Sequence, residues 1–324
     1  MQFLAVMIII LVPFGLLDAQ TMRKAPRIGF VVSAGDNRSS EELEAFKAGL
    51  QKHGYVDGKN IIIERKYAMG RLDRIPELIN ELVKENVDVI VAGNNVAIQA
   101  AEKAAKSIPT VFVTSLDPVA AGYVKSFARP GGNLTGLSYL SREISGKRIE
   151  LIKYLIPKMS RLAVLWDMNG PGPVVAIKQY ESAAQDFKIS LQSVGVEGPN
   201  PNFEGAIRAA KKGGSQALIV VGNPLIAQHQ AEIFQRAIKE KLPTMAEDSR
   251  KVTAGALISY GADLAELYRF AATYVDAILK GDKPANMLVE QPKVFEIFIN
   301  MKTAKQLGVQ IPRQVMVMAN ELIE

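Results

Sequence analysis

Short polar side chains recur along this chain directly after runs of apolar residues. Hydroxyl and amide groups can hydrogen-bond a carboxylate, and an aspartate can pair with an ammonium, so such a set suits a small zwitterion. Each of these residues could instead be a helix cap or a turn former. Their repeated position after apolar runs favours the binding interpretation. The candidates are Ser33, Asn94, Asn95, Ser115 and Asp117 in the first half and Asp167, Asn169, Asn223, Glu247 and Asp248 in the second, with Tyr260 further on.

The stretch 109–140 shows how such a side chain is placed. Its β-branched run 110–114 predicts a buried parallel strand. Asp117 and Pro118 then predict a helix start, because Asp can cap the first turn and Pro suits the first helical position. Pro130, Gly131 and Gly132 end that helix, and the apolar run that follows is interpreted as a crossover to the other half of the molecule.

The rest of the chain repeats this plan of strand and helix four times in each half. Parallel strands joined by helical crossovers follow from that alternation. We therefore predict an α/β fold of two doubly wound, Rossmann-like parallel-sheet lobes joined by a multi-strand hinge. The predicted lobes are 26–138 with 258–288 and 139–257 with 289–324, and the ligand cleft lies between them. The carboxyl ends of strands, where the polar candidates lie, are the usual binding edge of open α/β sheets.

Common catalytic signatures are missing from the sequence. It has no GxGxxG after the first strand, no GxxxxGKS/T, no GxSxG, no SxxK and no HExxH. The two histidines, His53 and His229, lie away from any motif and are expected to be solvated. The chain has no cysteine, which excludes disulfides, thiolate metal sites and cysteine nucleophiles. We predict a protein that is not an enzyme and uses neither cofactor nor metal.

Composition indicates a globular protein without a nucleic-acid partner. Apolar residues make up 48% and charged residues 22% of 324, which is enough for two cores. The net charge is +6, but the basic residues are scattered and do not alternate with aromatic residues. A mildly basic solvated surface explains the charge.

The first 19 residues resemble a secretory signal peptide. Residues 3–17 are almost wholly apolar, and Ala19 suits cleavage. About 15 apolar residues are too few to span a bilayer comfortably. The expected protein is therefore exported with the leader removed.

Five segments carry a resemblance to a known family. They are FKAGLQKHGYVDGKNIIIE, DPVAAGYVKSFARPGGNLTGLS, SGKRIELIK, LISYGADLAELYRFAATYVDAILKGDKP and VEQPKVFEIFINMKTAKQLGV. Over nearly all of 26–324 the chain resembles the periplasmic substrate-binding proteins of ABC transporters with the type I two-lobe fold. The similarity is greatest to the branch that includes aromatic amino-acid binders.

The resemblance implies a receptor that closes two lobes around a small polar ligand, an amino acid or an analogue. It implies an ABC permease with its ATPase as partner, and a monomer free in the periplasm, because the lipoprotein cysteine of many relatives is missing. The alternatives are a ligand-sensing receptor for a membrane signalling protein and an exported α/β hydrolase that uses the strand-end carboxylates. The positions that match ligand contacts are Ser33, Asn94, Asn95 and Asp117 in the first lobe and Asp167, Asn169, Asn223 and Tyr260 in the second half and its crossover.

Overall fold

Strands and helices alternate along the described chain, as the apolar runs and amphipathic stretches predict. The computed structural model describes residues 25–32, 36–114, 117–139, 142–169, 171–198 and 200–324. The predicted signal peptide, 1–19, lies outside these residues. Within the same ranges, no helix is both long enough and apolar enough to cross a membrane.

The first lobe is built on a five-stranded sheet in which all strands are parallel, in the order β2-β1-β3-β4-β5. Its central strands β3 and β4 are wholly buried, as expected of continuous apolar runs covered by helices on both faces. The elements are β1 (Arg27–Val32), α1 (Asp36–Lys52), β2 (Ile62–Tyr67), α2 (Ile75–Lys84), β3 (Val89–Ala92), α3 (Asn95–Ala104), β4 (Thr110–Thr114), β5 (Leu134–Ser138) and, after the second lobe, α9 (Leu264–Leu279).

The second lobe is built on a seven-stranded sheet in the order β12-β11-β10-β9-β8-β6-β7. Strands β6 to β10 run parallel, and β11 is antiparallel to β10. The elements are α4 (Arg142–Leu155), β6 (Arg161–Asp167), α5 (Pro171–Asp186), β7 (Ser190–Val196), α6 (Phe203–Lys212), β8 (Ala217–Val220), α7 (Pro224–Gln228), α8 (Gln230–Lys239), β9 (Thr244–Ala246), β10 (Ile258–Ala262), β11 (Phe295–Asn300), α10 (Met301–Leu307), α11 (Arg313–Met318) and β12 (Glu321–Ile323).

Each sheet separates two apolar clusters, one on each face. In β1, Phe30 faces the cluster under α1 and α9, and its neighbour Val31 faces the cluster under α2 and α3. In β6, Val164 and Leu165 divide in the same way between the α4 and α5 side and the α6 and α8 side. Alternation along each strand therefore fixes the register, since a slip of one residue would exchange the two faces.

Three chain crossings join the lobes, which confirms the predicted multi-strand hinge and the two-lobe α/β class. The first runs from β5 to α4 and the second from β10 to α9. Before the third, Glu290 pairs with β5: its N–H donates to the Gly136 carbonyl and its carbonyl accepts from the Ser138 N–H, both at 3.0 Å. The chain then enters β11 in the second sheet.

Strand pairing differs from the predicted lobe boundaries at two places. Residues 258–262 were expected in the first lobe, but they form β10, which pairs with β9 and β11 in the second sheet. Residues 289–290 were expected in the second lobe, but they lie along β5 of the first sheet. Both segments were assigned to the wrong lobe because apolar content does not identify which sheet a hinge segment joins.

Helix α9 follows the second crossing and packs against the first lobe. Helix α9 lies against α1, and a Cβ on Gly49 would come within 2.3 Å of the Arg269 carbonyl oxygen. Tyr268 of α9 is 2% exposed and its ring centroid lies 5.8 Å from that of Phe30. The first lobe is therefore complete only when the chain has passed through the second.

Candidate functional site

The two lobes touch each other near the carboxyl ends of their parallel strands. At the rim, the Gln228 Nε2 at the end of α7 donates to the carbonyl of Gly70, which follows β2, at 3.3 Å. Val175 of α5 packs against the first-lobe cluster that contains Ile98 and Tyr123. These contacts close the lobes on one another in this conformation. The described polar candidates lie at or just after the carboxyl ends of the parallel strands, the usual binding edge of open α/β sheets.

Asn94 lies two residues after β3 and carries a buried amide donor. Its Oδ1 accepts from the Ala97 N–H at 2.9 Å and so caps α3. Its Nδ2 is buried and has no hydrogen-bond partner. A buried donor without a partner is costly, and such groups concentrate at sites that receive a ligand.

Asn95 forms hydrogen bonds with other residues of the first lobe. Its Oδ1 accepts from the Thr114 hydroxyl at the end of β4, and its carbonyl accepts from the Tyr123 hydroxyl at 3.4 Å. These bonds join the ends of β3 and β4 to the segment after Pro118. Burial raises the pKa of Tyr123 to about 12, so its phenol is neutral and donates. Asn95 therefore positions neighbouring groups of the edge.

Asp117 caps a turn and keeps one oxygen for another partner. Its Oδ1 accepts from the N–H groups of Val119 and Ala120 at 2.9 and 3.1 Å. Among the described residues, none donates to its Oδ2, and the residue is half-buried. A carboxylate in this position can pair with an ammonium group.

The predicted helix after Asp117 is wrong, because the segment forms consecutive turns. The N–H groups of Tyr123 and Val124 both bond to the Pro118 carbonyl, at 2.9 and 3.2 Å, while Gly122 takes a positive φ of 79°. Tyr123 and Val124 are then anchored in the core. The helix start signal is real, but Gly122 reverses the chain after one turn. The two remaining first-lobe candidates, Ser33 and Ser115, lie outside the described residues.

The structure brings together Asp167, Asn169 and Asn223 at the ends of β6 and β8. Asp167 Oδ1 accepts from the N–H and the Nδ2 of Asn169 at 2.9 and 3.0 Å, and its Oδ2 accepts from Asn223 Nδ2 at 2.5 Å. Asn223 Oδ1 caps α7 through the Ile226 N–H at 2.8 Å. Both carboxylate oxygens are thus occupied by protein donors. This group fixes the two loops and presents them to the cleft.

A buried ion pair beside this group has Arg148 at its centre. Arg148 Nη1 donates to Glu247 Oε1 and to the Tyr180 hydroxyl, both at 2.9 Å, and its Nε donates to the Tyr260 carbonyl at 2.7 Å. The Arg148 side chain is 3% exposed and that of Glu247 14%. Glu247 Oε2 accepts from the Gly222 N–H at 2.7 Å. The network therefore ties α4 to the ends of β8 and β9 and to β10.

Protonation of this network follows from its burial and charges. Burial raises the pKa of Tyr180 well above its ordinary value, so Tyr180 is a neutral phenol that donates to Glu247 at 2.7 Å. Burial opposes the charge of Arg148, but Tyr180 and Glu247 hold its pKa above the ordinary value. A charged arginine and a neutral tyrosine thus share one carboxylate.

Sequence analysis missed Arg148, although a signal was present. Arg148 shares its helix face with Ser145, Ile149 and Ile152, at helical spacings of three and four residues. Ile149 and Ile152 belong to the core. An arginine on the apolar face of an amphipathic helix must find a buried acceptor, and Glu247 was already among the candidates.

Tyr260 lies on β10 just before the second crossing. Its ring stacks on Phe295 with centroids 5.5 Å apart and an interplanar angle of 28°. Burial raises the pKa of its phenol, which is therefore a neutral donor. Its ring is half-buried and lies next to the second crossing, so part of it is accessible for contact with a ligand.

A separate cavity at the hinge is acidic and contains none of the sequence-predicted ligand contacts. Burial and then the neighbouring Asp263, Asp248 and Glu321 raise the pKa of Glu296 in this cavity. Its carboxylates make this cavity unfavourable for a negatively charged group. The lining residues are Glu41, Glu42, Thr253, Asp263, Leu264, Ala265, Glu296, Phe298, Glu321 and Ile323.

The two histidines lie in ordinary polar contacts away from the strand ends. His53 Nδ1 is 3.2 Å from Asp276 and its Nε2 is 3.2 Å from Thr273, between α1 and α9. His229 Nδ1 is 3.6 Å from Glu232, and its ring lies 5.1 Å from that of Phe203. Among the residues that the structure describes, no serine is hydrogen-bonded to either histidine. In the described part of the chain, no group of three His, Asp or Glu side chains could hold a metal ion.

Two α/β lobes with three crossings and facing polar edges define the class of two-lobe binding proteins. The family described as ABC transporter substrate binding protein matches residues 28–323, and the chain belongs to that family.

Three known proteins are similar over most of the chain. A curated relative from Clostridioides difficile, named tyrosine-binding protein, is 29% identical over 268 residues, which cover 82% of this chain and 76% of the relative. A conserved domain protein from Vibrio cholerae has a crystal structure with a TM-score of 0.86 and 28% identity, over 92% of this chain and all of the other. The ABC domain from Streptococcus pneumoniae in complex with L-Trp has a TM-score of 0.85 and 23% identity, over 93% of this chain and all of the other.

Proposed function

We propose that this protein is an extracytoplasmic receptor that captures an aromatic amino acid between its lobes and delivers it to an ABC permease. The observation that carries the proposal is the pair of facing polar strand edges, which includes a buried amide donor on Asn94 and an available oxygen on Asp117. The tyrosine-binding relative and the L-Trp complex support an aromatic amino acid as the ligand.

The first-lobe edge provides opposite ends of a zwitterion site. Asp117 accepts the ligand ammonium, and Asn94 Nδ2 donates to a ligand oxygen. Ser33 and Ser115 are proposed to add hydroxyl groups from the ends of β1 and β4. Asn95 acts through the bonds that hold the ends of β3 and β4 together.

The second-lobe edge completes the site when the lobes close. The Tyr260 ring supplies an aromatic surface near the hinge. The linked set Asp167, Asn169 and Asn223 shapes the loops that face the first lobe. A ligand held by both edges gains contacts only in the closed state, so binding shifts the equilibrium toward closure.

The rim contact between Gln228 and Gly70 is part of this closure. Gly70 has a positive φ of 78°, and a Cβ on it would lie 2.2 Å from Gln228 Nε2. Glycine is favoured there by the positive φ, and its lack of a side chain lets the Gln228 amide approach the backbone. The contact holds the lobes together at the mouth of the cleft.

Delivery of the ligand to a permease requires that the receptor be outside the cytoplasm, where it can reach the membrane transporter. The apolar leader supports export to the periplasm, and the absence of cysteine from the sequence supports a form without a lipid anchor. The proposed partner is a permease with its ATPase, and the receptor acts as a monomer. No chemical step is assigned to this chain.

A thermal-shift panel tests the proposed ligand class. The purified protein is heated with amino acids, nucleosides, sugars and small carboxylates. A ligand at a hundredfold excess over Kd adds about 2.7 kcal/mol to the free energy of unfolding, which raises Tm by a few degrees. We expect the largest rise with L-tyrosine or L-tryptophan. A rise with sugars or nucleosides alone would contradict the proposed class.

A further inference from the structure

Ser145 has a buried hydroxyl for which the described residues provide no hydrogen-bond partner. The residue is fully buried, and its Oγ makes no hydrogen bond. It lies in the first turns of α4, the helix that begins just after the first crossing between the lobes. A buried hydroxyl without a partner is unfavourable for folding and needs an explanation.

The position of Ser145 on the helix places it near the carboxyl edge of the second sheet. Arg148 follows three residues later on the same face and contacts Glu247 and the Tyr260 carbonyl near the carboxyl edge of the second sheet. Helix α4 precedes β6 and runs back along the sheet, so its N-terminus lies at that edge. Ser145 is thus about one turn closer to the cleft than Arg148.

We propose that Ser145 and the N-terminus of α4 form the second-lobe subsite for the carboxylate of the captured amino acid. This inference rests on the proposed function and adds a ligand contact that the sequence candidates do not include. The N–H groups of the first helical turn carry partial positive charge and suit an anion. Ser145 adds a hydroxyl donor from within the same end of the helix.

Asp167 and Arg148, the charged groups described beside this edge, are unsuited to bind the carboxylate. Asp167 carries negative charge, and its oxygens already accept from Asn169 and Asn223. Arg148 is held by Glu247, Tyr180 and Tyr260, so it fixes the orientation of α4. Arg148 is therefore a positioning residue, and Ser145 is the ligand contact.

Ser145→Ala separates this role from a structural one. The unliganded variant should unfold at the same temperature as the wild type or higher, because it loses an unpaired polar group and no hydrogen bond. Its affinity for L-tyrosine, measured by isothermal titration, should fall roughly tenfold to a hundredfold, as expected for a lost hydrogen bond to a charged group. Tyramine, which lacks the carboxylate, should bind the wild type and the variant equally.

Ser259→Ala is the matched control. Ser259 is also fully buried with an unpartnered Oγ. It lies on β10 opposite Phe298, whose ring packs against the α6 and α8 side of the sheet, away from α4. This variant should keep the wild-type affinity for L-tyrosine.

Each outcome of the titration decides a separate point. Unchanged affinity for L-tyrosine in Ser145→Ala would overturn the carboxylate subsite, as would an equal loss of L-tyrosine and tyramine. Equal losses of affinity in Ser145→Ala and Ser259→Ala would also overturn it. The loss would then be a general effect of removing a buried hydroxyl group and not the loss of a ligand contact. If the wild type bound neither L-tyrosine nor L-tryptophan, the proposed function would fail, and this subsite with it.

Discussion

Arg148→Met should lower the free energy of unfolding by roughly 3–5 kcal/mol, the usual cost of removing one partner of a buried ion pair. Glu247, at 14% side-chain exposure, would lose its arginine partner while it still accepts from Tyr180 and from the Gly222 N–H. Urea unfolding followed by circular dichroism measures the change. The slope of the unfolding free energy against urea concentration should equal that of the wild type if unfolding remains two-state.

Two further variants make the Arg148 result specific. Arg71→Met removes an ion pair with Asp73 whose side chains are 68% and 66% exposed, and should leave the free energy of unfolding nearly unchanged, because water screens an exposed pair. The double variant Arg148→Met with Glu247→Leu should regain much of the lost stability, because it removes the uncompensated charge. A loss in Arg148→Met no greater than in Arg71→Met would contradict the buried-pair account.

Asp117→Asn should reduce the affinity for L-tyrosine by at least about a hundredfold while leaving the fold intact. Asparagine can accept the same two backbone N–H groups that Asp117 caps, so the turn is retained. The variant loses the negative charge that faces the ligand ammonium, and loss of a buried charged partner costs roughly 2–5 kcal/mol of binding.

A second substitution and a second ligand separate charge from structure. Asp117→Ala should lose the same affinity and in addition about 1 kcal/mol of stability with the cap. The ligand 3-(4-hydroxyphenyl)propionate lacks the ammonium, and its affinity should not fall in Asp117→Asn. Wild-type affinity for L-tyrosine in either variant would remove Asp117 from the site.

The sequence predicts most of the fold because buried parallel strands are continuous apolar runs. The first strand, predicted at 27–32, is observed at Arg27–Val32, and β3 and β4 also follow from their composition. Hinge strands are harder to assign. β10 pairs with β9, and Glu290 pairs with β5, through backbone groups that every residue type carries. Local composition therefore cannot decide which lobe such a segment joins.

The sequence predicted where the polar candidates lie on the sheets, and their role in ligand binding stays a prediction. The polar residues after β3, β6 and β8 do lie at the carboxyl edges of the sheets. Their sequence does not show that Asp167 is satisfied by Asn169 and Asn223, since residues 167 and 223 are distant along the chain. An unpaired atom such as Asn94 Nδ2 is likewise visible only when the surrounding donors and acceptors are known.

Equilibrium dialysis of the purified protein against L-tyrosine and L-tryptophan tests the central claim most directly. The proposed receptor should retain one molecule of radiolabelled aromatic amino acid per chain. An excess of the same amino acid without the label should displace it. Retention should fall sharply in Asp117→Asn and stay unchanged in Ser259→Ala. Absence of retention of either amino acid by the folded wild-type protein, at concentrations up to the millimolar range, would contradict the claim that this protein captures aromatic amino acids.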